Sequence, residues 1–176
     1  TCQAAIDSEH YAKKLEGTHR GRGVASGFWV NGGGESSASI SVNNNGTVNL
    51  QEGSVDIGGS RASMAMIVAE TLGLNAEDVN PSVPDTSSIG MTAGTGGSRT
   101  TYATGHACYK AAEAIKAEMC LRASRQLEIQ ESDVCYENGN FVCISDTNKI
   151  LTFEEVAAEQ ASTGGPITGK IGRAHV

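Results

Sequence analysis

From residue 22 to residue 57 apolar and polar positions alternate, the period of a strand with one buried face, whereas the two long apolar runs after residue 62 repeat at helical spacing. Val24 to Val30 reads as one strand, and Ala38, Ile40 and Val42, alternating with serines, as another. Asn43-Asn44-Asn45-Gly46 is a turn signal, and Val48 and Leu50 resume the alternation beyond it, which predicts a hairpin. Val55 and Ile57 predict a short strand entering Gly58. Ahead of these, Ile6, Tyr11 and Leu15 predict a short surface helix over Ala4 to Leu15, ended by Gly17.

Ala62 to Leu72 is apolar nearly all round and stops at Gly73, the pattern of a buried helix with a glycine C-cap. Asp78 to Val83 predicts a strand weakened by Pro81. Residues 85–95, rich in Ser, Thr and Gly, form a loop, and the Ala-rich segment after it carries Cys108, Ala112, Ile115 and Met119 on one helical face as far as about Gln126. Val134 to Ile144 predicts a hairpin about Asn138-Gly139, with Cys135 opposite Val142 and Cys143 opposite Val134. Thr152 and Glu155 have capping-box spacing for a last helix, ended by Thr163 to Pro166. Strands in hairpins packed with two long helices indicate an α+β fold without alternating βαβ units, and residues 1–170 read as one unit.

A length of 176 residues, 39% hydrophobic and 19% charged, suits one soluble globular domain. The net charge of -7, with only 13 scattered Lys and Arg, argues against a nucleic-acid surface. No apolar run approaches the roughly 20 residues that span a bilayer. The five cysteines show no metal-ligand spacing and fit a reducing compartment, the cytoplasm. Residues 171–176 show no periodicity and match one reading frame of a common short-read sequencing adapter, so they are expected to be a non-native tail on a fragment.

Gly-Gly-Ser-Arg occurs at residues 58–61 and again at 96–99, each time before a helical run. A helix N-terminus has unbonded N–H groups and a positive dipole end, and glycines let an anion approach them. In the structural reading Ser60 and Ser98 are N-caps; in the ligand reading Arg61 and Arg99, with the hydroxyls of Ser98, Thr100 and Thr101, pair with phosphate oxygens. Neither loop is a Walker A or Rossmann fingerprint. No nucleophile has a base beside it, so no catalytic residue and no metal ligand is assigned; Asp56, Asp85 and His106 read as capping or packed residues.

As a set, GRGVASGFW (residues 21–29), EGSVDIG (52–58), the Met64 to Gly73 helix, DTSSIG (85–90) and TGGSRTTYATG (95–105) resemble the molybdopterin-binding large subunit of the xanthine dehydrogenase and aldehyde oxidase family. The resemblance runs from about Arg20 to Gly169. It implies a molybdenum-cofactor-binding type of α+β domain, a fragment of the second molybdopterin-binding region. It implies molybdopterin, in bacteria often as its cytosine dinucleotide, and an enzyme that hydroxylates an aldehyde or heteroaromatic carbon with oxygen from water. It also implies iron-sulfur and FAD partner subunits or domains. Ile57, Gly58, Gly59 and Ser60 match the family stretch that approaches the pterin, and Gly97, Ser98, Arg99, Thr100 and Thr101 match the stretch that holds the pterin and its phosphate. The family's usual Gly-Gln-Gly is here Gly58-Gly59-Ser60, without the glutamine and one residue shorter. The family's catalytic glutamate lies beyond Lys170 and a substrate-pocket loop before Thr1, so the chain alone is expected to be inactive. The alternative from another class is a non-catalytic module that binds a phosphorylated small ligand through the two helix entries.

Overall fold

The computed structural model describes residues 2–174 and divides between Val30 and Asn31 into two compact units. In the first, α1 (Cys2–Ile6) and α2 (Glu9–Ala12) replace the single helix expected over Ala4 to Leu15. The break falls at Ser8, whose hydroxyl accepts from the Tyr11 N–H and so caps α2. Arg22 donates to the carbonyls of Tyr11 and Lys13 at 2.7 and 2.9 Å, and to that of His10, closing the C-terminal end of α2. The strand expected over Val24 to Val30 does not form: no strand pairs with it among the described residues, and Phe28 and Trp29 are 90% and 77% exposed. Alternation yields a strand only where a neighbour supplies the ladder bonds.

In the second unit β1 (Ser36–Val42) and β2 (Val48–Glu52) form the expected hairpin, with Ile40 opposite Leu50 and Val42 opposite Val48. Ala38, Ile40, Val42, Val48 and Leu50 are buried, while Ser39 and Ser41 between them are half-buried. The chain leaves the sheet after Glu52, so Val55 and Ile57, expected as a strand, lie exposed in a loop. Helix α3 (Ser60–Leu72) then carries it to β3 (Val79–Ser82), which pairs parallel with β2. That makes one βαβ crossover within the α+β fold, which the local pattern does not announce. Pro81 is tolerated because β3 is an edge strand, lying outside β2 and β1 in the sheet.

α4 (Gly105–Leu127) buries the expected stripe, Cys108, Ala112, Ile115 and Met119, against that sheet and α3. α3 ends at Gly73 with φ 58°, and a β-carbon there would stand 2.4 Å from the Gly139 nitrogen. Gly139 is the tip of hairpin β4 (Val134–Glu137) and β5 (Asn140–Cys143), in the expected register of Cys135 with Val142 and Cys143 with Val134. All five cysteines are free. A third strand, β6 (Asp146–Thr152), was hidden by its polar composition and leads into α5 (Phe153–Ala158) and α6 (Gln160–Thr163). β7 (Thr168–Ala174) returns to pair antiparallel with β1. Of residues 171–176, the first four lie in β7, with Ile171 opposite Ala38 and packed on the core; His175 and Val176 lie outside the described residues.

The capping box before α5 is complete: Thr152 Oγ1 accepts from the Glu155 N–H and the Glu155 carboxylate accepts from the Thr152 N–H at 2.7 Å. That backbone bond, then the bond from the Thr152 hydroxyl, holds the Glu155 carboxyl below its ordinary 4.5. A group whose folded pKa is depressed adds stability above its unfolded pKa and loses it as pH falls through the folded one. Glu155→Gln is therefore expected to lower the thermal midpoint at neutral pH, with the difference from wild type shrinking below about pH 4. Midpoints measured from neutral pH down to about pH 2 check this; a constant difference would refute it.

Candidate functional site

The first loop enters α3 through Gly58 and Gly59, both left-handed at φ 59° and 81°. A β-carbon on either would meet nothing within 4 Å, and their N–H groups make no hydrogen bond within the described residues. Ser60, expected as N-cap, lies inside the helix: Gly59 holds the cap position, and Ser60 Oγ accepts from the Ile57 N–H at 3.1 Å. Asp56 caps instead, Oδ1 accepting from the Arg61 N–H at 3.1 Å and from the Ser60 hydroxyl at 3.4 Å. A carboxylate thus already occupies the positive end of α3.

The second loop has the same backbone move one residue later in the tetrapeptide. Gly97 and Ser98 are left-handed at φ 55° and 57°, and Arg99 returns to φ -68°. Left-handed residues followed by a right-handed one turn successive N–H groups into one concavity; those of Gly97 and Ser98 make no hydrogen bond within the described residues. Open space lies where β-carbons on Gly94 and Gly96 would stand. The chain then makes one wide π turn, Thr100–Thr104, before α4; such turns cluster at functional sites. The repeat is therefore offset: the left-handed pair is Gly-Gly in one copy and Gly-Ser in the other, and the two arginines fall at different places in their helices.

Arg99 does not face an outside anion. It is 4% exposed, and its guanidinium donates to the carbonyls of Gly33, Ala93 and Glu35 at 2.9, 2.6 and 2.7 Å and to Ser36 Oγ. Its backbone N–H is bonded to Gly96 O. Burial of a charge requires this degree of satisfaction, so the side chain belongs to the scaffold behind the loop. Arg61 approaches the buried Glu52 carboxylate at 4.0 Å. Thr100 is buried and donates to Thr95 Oγ1 at 3.2 Å, so of the three hydroxyls expected to meet phosphate only those of Ser98 and Thr101 are exposed.

Ser98 and Thr101 line an open groove of about 890 Å³ with Tyr102, His106 and Tyr109 of the π turn and α4, opposite Ile67 and Glu70 of α3. The His106 and Tyr109 rings lie 6.1 Å apart, tilted by 36°. Ile57, Gly58 and Gly59 do not line this groove. Among the described residues no cluster of His, Cys, Asp or Glu can hold a metal ion, and no helix is long and apolar enough to cross a membrane. Burial, then the charge of Glu52, pushes the Cys108 thiol far up, so it is no nucleophile. The loops thus offer backbone donors and hydroxyls, the chemistry of a polar or anionic ligand. Glu52, Ser54 and Thr104, which join the loops from within, lie in the EGSVDIG and TGGSRTTYATG stretches, where the sequence gives them no role of their own. One signal was present: Glu52 continues the inward positions Val48 and Leu50 of β2, where a carboxylate is out of place.

A family model described as the molybdopterin cofactor-binding domain matches residues 2–172. The carbon monoxide dehydrogenase large chains of Hydrogenophaga pseudoflava and Afipia carboxidovorans are 31% and 32% identical over 122 residues, 69% of this chain. The chain spans 15% of the length of these curated relatives. Among solved structures, reconstituted CO dehydrogenase from Oligotropha carboxidovorans and a Cu,Mo-CO dehydrogenase in the carbon monoxide reduced state each superpose with TM-score 0.70 at 27% identity, over 80% of this chain and 19% of theirs. Quinoline 2-oxidoreductase from Pseudomonas putida 86 shares the fold, with TM-score 0.64 at 20% identity over 78% of this chain and 19% of its own.

Proposed function

The chain belongs to the molybdopterin cofactor-binding domain family, and from that premise we propose that it forms a cofactor-holding part of a molybdenum-dependent oxidoreductase. The observation that carries the reading is the pair of left-handed residues Gly97 and Ser98, whose N–H groups are unbonded among the described residues just ahead of the 23-residue α4. The open space over Gly58, Gly59, Gly94 and Gly96 fits a ligand lying close to the backbone.

In this reading Gly97 and Ser98 hold the pterin phosphate by N–H donation, and the Ser98 and Thr101 hydroxyls orient it. Gly58 and Gly59 supply a second backbone contact, to a less charged part of the pterin because Asp56 already neutralises that helix end. Thr100 shapes the loop through Thr95, and Arg99 fixes it from behind. The bound cofactor, in its cytosine dinucleotide form, supplies the redox chemistry that hydroxylates an aldehyde or heteroaromatic carbon with oxygen from water. Iron-sulfur and flavin partners would take the electrons, in the cytoplasm, a compartment that suits the five free cysteines.

Full-length protein is expected to contain molybdenum and pterin stoichiometric with polypeptide. Ser98→Gly, which keeps the left-handed backbone, combined with Thr101→Val is expected to lower molybdenum content about tenfold with little change in thermal midpoint. Elemental analysis and a melting curve check both, and unchanged molybdenum in the double variant would reject the role given to the two hydroxyls, while full-length protein without molybdenum would reject the cofactor reading.

A further inference from the structure

A buried polar relay joins the two Gly-Gly-Ser-Arg loops. Ser36, Glu52, Ser54, Arg99 and Thr104 are all 5% exposed or less. On the first-loop side, Arg61 lies 4.0 Å from Glu52, and the Glu52 carboxylate accepts from the Ser54 N–H at 2.6 Å. The Ser54 hydroxyl donates to Thr104 Oγ1 at 3.0 Å. Thr104 Oγ1 stands 3.2 Å from Ser36 Oγ, which in turn accepts from Arg99 Nη2 on the second-loop side. Thr104 is the junction, and it closes the π turn that follows the second loop.

Such a chain is costly to half-satisfy. In a low-dielectric interior a hydroxyl that loses its partner cannot turn to water, so each member constrains the next. An apolar residue at position 104 would leave Ser54 without its acceptor, and Ser54 is held to Glu52, the residue from which the chain departs into the first loop. We propose that Thr104 is a positioning residue whose hydroxyl fixes both loops in one arrangement, so that a disturbance at either is transmitted to the other. Its consequence for the cofactor rests on the function proposed above; the coupling itself does not.

The test is amide hydrogen exchange on the full-length protein without cofactor, read at the bonded amides of Ile57 and Arg61 in the first loop and Arg99 in the second. Thr104→Val is expected to speed exchange on the order of tenfold at all three, and Thr104→Ser to restore it. Ser54→Ala, a milder change outside the π turn, is expected to speed exchange at Arg99 as well. Faster exchange confined to the altered residue's own loop, or a Ser variant as poorly protected as the Val variant, would overturn the proposal. Molybdenum content is measured in parallel and is expected to fall in Thr104→Val and recover in Thr104→Ser. Coupled exchange in a wild-type protein that holds no molybdenum would leave the relay standing and remove the cofactor reading.

Discussion

Replacing Arg99 by Met is expected to destabilise the protein by about 4 kcal/mol, because several buried acceptors lose their donor at once at about 1 to 3 kcal/mol each. The carbonyls of Gly33, Ala93 and Glu35 and the hydroxyl of Ser36 converge on one guanidinium. Methionine fills the volume of the stem but donates nothing. Lysine keeps the charge, yet a single ammonium cannot reach acceptors spread around a planar fork, so Arg99→Lys is expected to recover less than half of the loss. Arg61 offers the internal comparison. It occupies the same place in the tetrapeptide, but its Nε makes no hydrogen bond among the described residues and its side chain is 22% exposed, so Arg61→Met is expected to cost clearly less. Urea midpoints of the three variants decide the matter; an Arg99→Met loss below about 1 kcal/mol, the worth of one ordinary bond, would contradict the scaffold role.

Gly169→Val is expected to cost about 3 kcal/mol, at the upper end of overpacking losses, and to loosen β7 from β1. Gly169 lies opposite Ile40 in the β1–β7 ladder, with the backbone of α4 directly over it. A β-carbon there would stand 2.3 Å from Ala111 O and 2.9 Å from Ile115 Cγ1. The first of these is main chain inside a 23-residue helix and cannot rotate away. Gly172, on the same strand, would meet nothing within 4 Å, so Gly172→Ala is expected to be nearly neutral. Denaturant midpoints with exchange at β1 amides separate the two sites; equal effects at both would show that strand propensity, and not the approach of α4, sets the loss.

The elements legible in advance share one property. The α4 stripe, the Gly73 cap of α3, the Asn138-Gly139 hairpin and the Thr152 to Glu155 box are each decided within a few residues. Two of the elements misread have a state that depends on a distant partner. Val24 to Val30 has the alternation of a strand, yet no strand pairs with it among the described residues, while β7 has two glycines, no alternation, and a neighbour waiting in β1. The site divides in the same way. Gly58 and Gly59 could be picked out as a loop that presents backbone, and Gly97, Ser98 and Thr101 as one that presents backbone and hydroxyls. That Arg99 faces inward could not, since its acceptors on Gly33, Glu35 and Ser36 lie more than 60 residues away in the chain.

By itself, the sequence determined the two long helices, the β1–β2 and β4–β5 hairpins and where two glycine-rich helix entries lie, because helical spacing, period-two alternation and turn chemistry act over a few neighbouring residues. Only the tertiary structure decided what those entries are made of. Packing offset the repeated tetrapeptide by one residue and turned Arg99 inward. It also buried Glu52, Ser54 and Thr104 as a link between the loops, because a buried polar group must find its partners wherever the fold brings them.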